Sequence, residues 1–270
     1  MPSVVEKAEA LRALHEGPRV LVLANVWDCA SARIVAKAGF PALATSSAAV
    51  ASVYGYPDGQ RISRDLMIEM VGRIARSVAL PVSADVEAGY GETTEAAAQT
   101  ARAVLAAGAV GINLEDTTDD GRLLPLEAQV ARIRAARSAA EPLVINARTD
   151  VFGVEGISAP DKMPEAIRRA NAYLAAGADC AFVPWVVDPE RIAALVRDIR
   201  GPLNVLISPR SPPVAELERL GVRRASVGSA LARAAYGLTA SIARELHDSG
   251  TYATLGQGAI PYAEMQQILE

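Results

Sequence analysis

Short apolar runs return along this chain at intervals of about 20 to 40 residues, each followed by a stretch with helical periodicity. The runs are VLVLANV (20–26), ALATSS (42–47), PVSADVE (81–87), VGINLED (110–116), PLVINARTD (142–150), CAFVPWV (180–186), PLNVLISP (202–209) and RASVGS (224–229). Segments such as TTEAAAQTARAVLAAG (93–108) and PEAIRRANAYLAAGAD (164–179) carry the amphipathic pattern, and several close on the Gly expected just past a helix. Eight strand–helix repeats imply a parallel sheet covered on both faces. Their number and spacing fit an α/β protein of the (β/α)8 TIM barrel type, for which 270 residues is an ordinary length. The competing architecture is an open doubly wound sheet. No GxGxxG or GxxxxGK[ST] follows any of the runs, which removes the usual nucleotide fingerprints of that alternative.

The expected organisation is one barrel domain over residues 1–270, with 248–270 as a C-terminal helical extension that either contacts another subunit or caps the barrel. Aromatic residues make up only 4% of the chain and alanine is abundant, a composition suited to helices packed closely on a sheet. A net charge of −4 and the absence of a basic block argue against nucleic acid and anionic membranes as partners. No apolar run reaches the roughly 18 residues of a membrane span, and the N-terminal stretch lacks a signal-type apolar core. Two cysteines, Cys29 and Cys180, offer neither a disulfide framework nor a metal cluster, so a cytoplasmic location is expected.

In a barrel of this kind, polar residues at the carboxyl ends of the strands face a shared mouth. Here the ends carry Asn25, Trp27 and Asp28; Thr45, Ser46 and Ser47; Asp85 and Glu87; Asn113, Glu115 and Asp116; and Asn146, Arg148 and Asp150. Several carboxylates in one cavity repel one another unless a cation compensates them, and all-oxygen ligands favour Mg²⁺, with Mn²⁺ a possible substitute. Asp85 would bind the ion directly, with Glu87 and Glu115 holding its water ligands, while Gly89, Tyr90 and Gly91 let the loop turn tightly over it. The alternative is that Asp85 and Glu87 cap the next helix or pair with surface arginines. Arg148 suits a bidentate grip on a substrate carboxylate, or else an ion pair with Asp150 or Glu115. Ser46, Ser47 and the amides of Ala48 and Ala49 could hold an oxyanion, or simply allow close packing.

Absences narrow the chemistry. Lysine occurs only at positions 7, 37 and 162, none at a strand end, so no Schiff-base amine is available. His15 and His247 lie in terminal helical segments, and no GxSxG elbow occurs. Proton transfer is left to carboxylates, tyrosines, metal-bound water or Cys29. A phosphate site at Gly228 and Ser229 is a weaker option resting on barrel precedent.

The motifs WDxxSA, TSS with Asp58 twelve positions after Ser46, DxExGYG, NLED and NARTD occur in this order. Together they resemble the isocitrate lyase / phosphoenolpyruvate mutase superfamily across roughly residues 10–245. That resemblance implies a barrel whose last helix is exchanged between neighbours, a homodimer or homotetramer, and a Mg²⁺-bound 2-oxo acid. It implies Asp85 as direct metal ligand, with Asp58, Glu87 and Glu115 as water-mediated partners. Trp27 and Tyr90 become pocket residues, Tyr90 also a catalytic candidate. Ser46, Ser47, Ala48, Asn113 and Arg148 hold the substrate, and Asp58 is the acid/base. The sequence departs from the lyases in lacking their KxCGH-type loop, which here reads TTDDGRLLPLE, and from the phosphonomutases in placing Pro184-Trp185 where they carry a histidine. The implied function is cleavage of a C–C bond in a small 2-oxo or 2-hydroxy (di)carboxylate, of lyase or decarboxylase type, through a metal-stabilised enolate. The alternatives are phosphonopyruvate hydrolase or mutase-like C–P chemistry, and a catalytically weak 2-oxo acid binding protein.

Overall fold

A computed structural model describes residues 2–118 and 120–270. The chain begins with α1 (Val4–Glu16), β1 (Leu21–Leu23), β2 (Asn25–Val26), α2 (Cys29–Lys37), β3 (Leu43–Thr45), α3 (Ser47–Val53) and α4 (Arg64–Ser77). The middle is β4 (Val82–Asp85), α5 (Thr94–Ala106), β5 (Gly111–Glu115), α6 (Leu126–Ala139), β6 (Val144–Arg148) and α7 (Ala159–Ala175). It ends with β7 (Cys180–Val183), α8 (Pro189–Asp198), β8 (Leu203–Leu206), α9 (Val214–Leu220), β9 (Arg224–Ser226), α10 (Ala230–Ser249) and α11 (Tyr262–Leu269).

All eight predicted runs form strands, and every strand pair is parallel. The first run is divided at Ala24, with β1 pairing to β9 and β2 to β3, so the two halves of one strand join both ends of the sheet. The result is a (β/α)8 TIM barrel. Asn25 locks the join: its Nδ2 donates to the Thr45 carbonyl at 2.7 Å, and its Oδ1 accepts from the amides of Val227 and Gly228, both at 2.9 Å.

Period-two alternation sorts the strands. Val82, Ala84, Ile112, Leu114, Ile145 and Ala147 pack outward with Met67, Ile74, Ala101, Val104 and Ile133 of the surrounding helices. Burying each of the larger ones contributes about 1.5–3 kcal/mol. The intervening positions Ser83, Asp85, Asn113, Asn146 and Arg224 are polar and buried. The barrel interior is therefore a polar column whose upper end is the mouth. Local signals set the helices: Ser3 and Glu6 form a capping box on α1, and Thr93 and Asp188 cap α5 and α8.

Two features lie outside the repeat. α10 buries only Ala232, leaving Leu231, Tyr236, Leu238 and Leu246 exposed. Beyond it, α11 packs on α2, where Lys37 pairs with Glu264 at 2.9 Å and Arg33 donates to the Ile268 carbonyl at 3.2 Å. Among the described residues no helix is long and apolar enough to cross a membrane.

Candidate active site at the barrel mouth

The end of β3 runs directly into α3, with Ser46 as N-cap accepting from the Ala49 amide at 3.4 Å. One residue on, the Ser47 amide and hydroxyl both donate to Asp85 Oδ2, at 3.0 and 2.9 Å, while Thr45 Oγ1 accepts from the Asp85 amide at 2.8 Å. Ser47 thus holds a carboxylate, and its amide is not open to a substrate oxyanion as the sequence suggested. Asp58, in the connection between α3 and α4, lies 3.5 Å from the Ser47 hydroxyl. Burial, reinforced by the neighbouring Asp85 charge, pushes the Asp58 carboxyl above its ordinary range.

After β4 the DVEAGYG loop turns sharply. Glu87 and Tyr90 adopt φ of 51° and 59°, a left-handed conformation costly for side-chain-bearing residues, and Gly89 sits at 80° where a Cβ would meet Leu114 Cδ1 at 3.0 Å. The turn is held from behind by Arg132 of α6. Its guanidinium donates to the carbonyls of Ala88 and Gly91, and to Gln129 Oε1 at 2.6 Å. Glu87 accepts from the Gln60 amide at 2.6 Å, and burial followed by repulsion from Asp58 and Asp85 raises its carboxyl to about 7. Burial, with Glu87 next, keeps the Tyr90 hydroxyl well above its ordinary range, so it stays protonated near neutrality and is a donor rather than a base.

The strand ends of β5 and β6 face each other in register, Asn113 beside Asn146 and Glu115 beside Arg148. Arg148 pairs with Glu115 at 2.8 Å and with Asp150 at 2.6 Å, so both of the sequence-level ion-pair alternatives are realised at once. Burial opposes the Arg148 charge, but Glu115, Asp150 and Asp85 outweigh it and leave the guanidinium firmly protonated. Its plane is flanked by Phe182 and Trp185 at 5.7 and 5.2 Å from the ring centroids. Trp185 itself has φ of 64° and lies so close to Gly153 that a Cβ there would meet its ring at 2.4 Å. Asn113 Oδ1 accepts from Asn146 Nδ2 at 2.5 Å and from Arg224 Nη2 at 3.4 Å, which leaves the Asn113 Nδ2 to donate into the mouth.

Some of these groups border one cavity of about 240 Å³. Of the residues singled out in the sequence, Asn25, Ser46, Ser47, Ala48, Asp58, Asp85, Asn113 and Arg148 line it, as do Gly228 and Ser229 of the weaker phosphate-site option. Glu87, Glu115, Tyr90 and Trp27 do not. Glu115 is taken up by Arg148, the Tyr90 hydroxyl is buried behind the loop, and Trp27 packs against the outer core. Asp116 also leaves the site: fully buried, it accepts from Thr149 Oγ1, the Asp150 amide, Arg169 and Tyr173 in a structural network. The sequence reading missed Phe182, Pro184, Trp185, Leu206, Ser226 and Arg233 as wall residues. A positive φ at Trp185 and the reach of a helix back over the mouth are tertiary facts that no local pattern announces.

A family model described as phosphoenolpyruvate phosphomutase matches residues 11–247. The chain belongs to the phosphoenolpyruvate phosphomutase family. With it comes membership of the isocitrate lyase / phosphoenolpyruvate mutase superfamily that the ordered motifs resemble. Relatives include an uncharacterized protein of Mycobacterium tuberculosis, 34% identical over 94% of this chain and 93% of its own. An oxaloacetate decarboxylase of Rhodopseudomonas palustris is 31% identical over 82% of this chain and 77% of its own. Among solved structures, a phosphonopyruvate hydrolase in complex with oxalate and Mg²⁺ superposes with a TM-score of 0.85 at 26% identity, covering 97% of this chain and 94% of that one.

Does this member of the phosphomutase family carry residues fit for such an ion? Asp85 Oδ1 and Glu87 Oε1 are buried carboxylate oxygens with no hydrogen-bond partner among the described residues. Oxygens of that kind are costly unless a cation or its bound water uses them. Among the described residues no three His, Cys, Asp or Glu side chains converge closely enough to ligate an ion by themselves. An ion held by one or two carboxylates and otherwise by water, as Mg²⁺ prefers, is compatible with both observations. The residues fit.

Proposed function

We propose that the protein is a Mg²⁺-dependent enzyme that cleaves a C–C bond in a small 2-oxo or 2-hydroxy acid, by lyase or decarboxylase chemistry. The observation that carries this reading is the meeting, in one small cavity, of Asp85 with an unshared Oδ1, Asp58 with a raised pKa, and the Arg148 guanidinium. Asp85 would hold the ion directly, and Asp58 and Glu87 would hold its water ligands. When bound there, the ion supplies electrophilic stabilisation of the negative charge that develops on the substrate oxygens.

The chain's own groups do the remaining work. Ser47 keeps Asp85 oriented through two donors. Ser46 and the Ala48 amide at the start of α3, with Asn113 Nδ2, are placed to donate to the substrate carboxylate and oxo oxygens. Arg148 contributes the part of its fork not spent on Glu115 and Asp150. Asp58, whose carboxyl is raised above its ordinary range by burial and by the Asp85 charge, is the group placed to exchange a proton with the reacting carbon or leaving group. Cleavage of a C–P bond would call for a stronger cationic pocket, and the wall carries two arginines with no lysine or histidine.

Calorimetric titration of oxaloacetate, 2-oxoglutarate and pyruvate with Mg²⁺ and then with EDTA, while ligand breakdown is followed, tests this. At least one ligand is expected to bind only with Mg²⁺ and to break down above background, and Asp85→Ala should abolish the Mg²⁺ dependence. Undiminished affinity in that variant would remove the metal assignment. Binding without turnover of any ligand would favour a 2-oxo acid binding protein.

A further inference from the structure

Beneath the mouth, the polar column of the barrel holds a charge that the chemistry above leaves idle. Arg224 of β9 is fully buried there. Its Nη2 donates to Ser83 Oγ at 3.3 Å and to Asn113 Oδ1 at 3.4 Å, both neutral groups, while Nε and Nη1 have no partner among the described residues. The other buried arginines are better supplied: Arg148 and Arg169 each meet two carboxylates, and Arg132 donates to three carbonyl oxygens. Burial pushes the Arg224 guanidinium down to about 10, which still leaves it cationic at neutral pH. Of the groups whose charge acts on it, Cys180 is a buried thiol held up at about 12 and so neutral, and Asp85 already accepts both Ser47 donors. His15 of α1 feels the same unmatched charge: burial first, then Arg224, push its imidazole down to about 4, and its Nε2 is also buried without a partner.

We propose that the barrel interior at Arg224 is a binding site for a small inorganic anion of the chloride class, held by the guanidinium and by Asn204. The Cα atoms of Arg224 and Asn204 are paired across β8 and β9, so the two side chains enter the barrel at one level. Asn204 Oδ1 accepts from Ser226 at 3.4 Å, and its Nδ2 is a second buried donor with no partner among the described residues. Unspent donors beside a fixed positive charge are what an anion requires. Water satisfies a donor but carries no charge, and a guanidinium taken out of bulk solvent without a counter-charge is costly. The floor is closed as well as charged: a Cβ on Gly111 would meet Leu11 Cδ2 of α1 at 2.9 Å and Ser83 Oγ at 3.0 Å. Packing that tight favours a monatomic ion over a larger oxyanion. Because Arg224 also donates to Asn113, which lines the mouth, the ion would lie one hydrogen-bonded residue below the cavity wall.

Two measurements on the full chain test this, and neither depends on turnover or on Mg²⁺. In the first, the wild-type protein is unfolded by urea at constant ionic strength while chloride replaces gluconate, an anion too large for the site. The folding equilibrium constant should rise about tenfold or more between about 1 and about 100 mM chloride, because an ion bound only by the folded state stabilises it by mass action. Arg224→Met should remove that dependence. In the second, crystals of the wild-type protein grown in bromide are measured at the bromine absorption edge, and an anomalous peak is expected against the Arg224 guanidinium. Stability that does not change with chloride in the wild-type protein, or ordered water with no halide peak beside Arg224, would overturn the proposal. So would a chloride dependence that persists in Arg224→Met, since the ion would then sit elsewhere. If that variant does not fold, the two wild-type measurements decide, and a halide peak without any chloride dependence in solution counts against the site.

Discussion

Glu87 shows how one residue couples fold to function. Its carboxyl is raised from 4.5 to about 7, chiefly by burial. The ionised form is therefore disfavoured by folding: this group's contribution to stability is fully present below pH 4.5 and is lost as the pH rises through about 7. A cation reverses the balance, because its ligands must be ionised. Mg²⁺ affinity should accordingly rise about tenfold per pH unit below pH 7 and level off above it, one proton being released per ion. Mg²⁺ titrations at pH 6 and pH 8 check this, and Glu87→Gln should flatten the profile. Equal affinities in the wild-type protein would mean that Glu87 plays no part in holding the ion. The DxE spacing made this residue visible in the sequence, whereas its φ of 51° and its place behind the cavity wall depend on what packs around it.

Among the elements, the loop after β4 depends on α6, more than thirty residues downstream. Arg132 is buried completely and its guanidinium supports the Ala88 and Gly91 carbonyls. Arg132→Met should destabilise the protein by about 2–4 kcal/mol, since buried carbonyls lose their donors, and should weaken Mg²⁺ binding by releasing the turn. Chemical denaturation and metal titration of the variant measure both; unchanged values would show that the loop holds its shape unaided. Gly89 and Gly91 were legible as turn formers. Arg132 was not, because in LEAQVARIRAARSA it looks like any arginine on an amphipathic helix. Similarly, the first apolar run reads as one strand, and its division into β1 and β2 follows only from the need to pair with both β9 and β3.

For the molecule as a whole, α10 stands apart. Leu231, Ala235, Leu238, Ile242 and Leu246 recur at helical spacing and form an apolar stripe on a helix that buries only Ala232. A stripe of this kind is a site for association. We expect a homodimer or homotetramer in which α10 packs on a neighbouring copy, with the exchange of this helix implied by the superfamily as its form. Sedimentation of the wild-type protein should give an oligomer, and Leu238→Glu with Leu246→Glu should shift it toward monomer. A monomeric wild-type protein would end the proposal.

The strand–helix repeat, the parallel sheet, the eight barrel runs and the acidic mouth were all determined by the sequence itself, because each rests on short-range periodicity and on which residue types follow an apolar run. Tertiary structure alone decided which acids share a cavity. Register across the sheet sets Glu115 against Arg148, the packing of α7 draws Asp116 into the core, and the return of α10 brings Arg233 to the mouth. Those outcomes depend on contacts between residues thirty to two hundred positions apart, where burial and charge pairing, rather than local pattern, determine the arrangement.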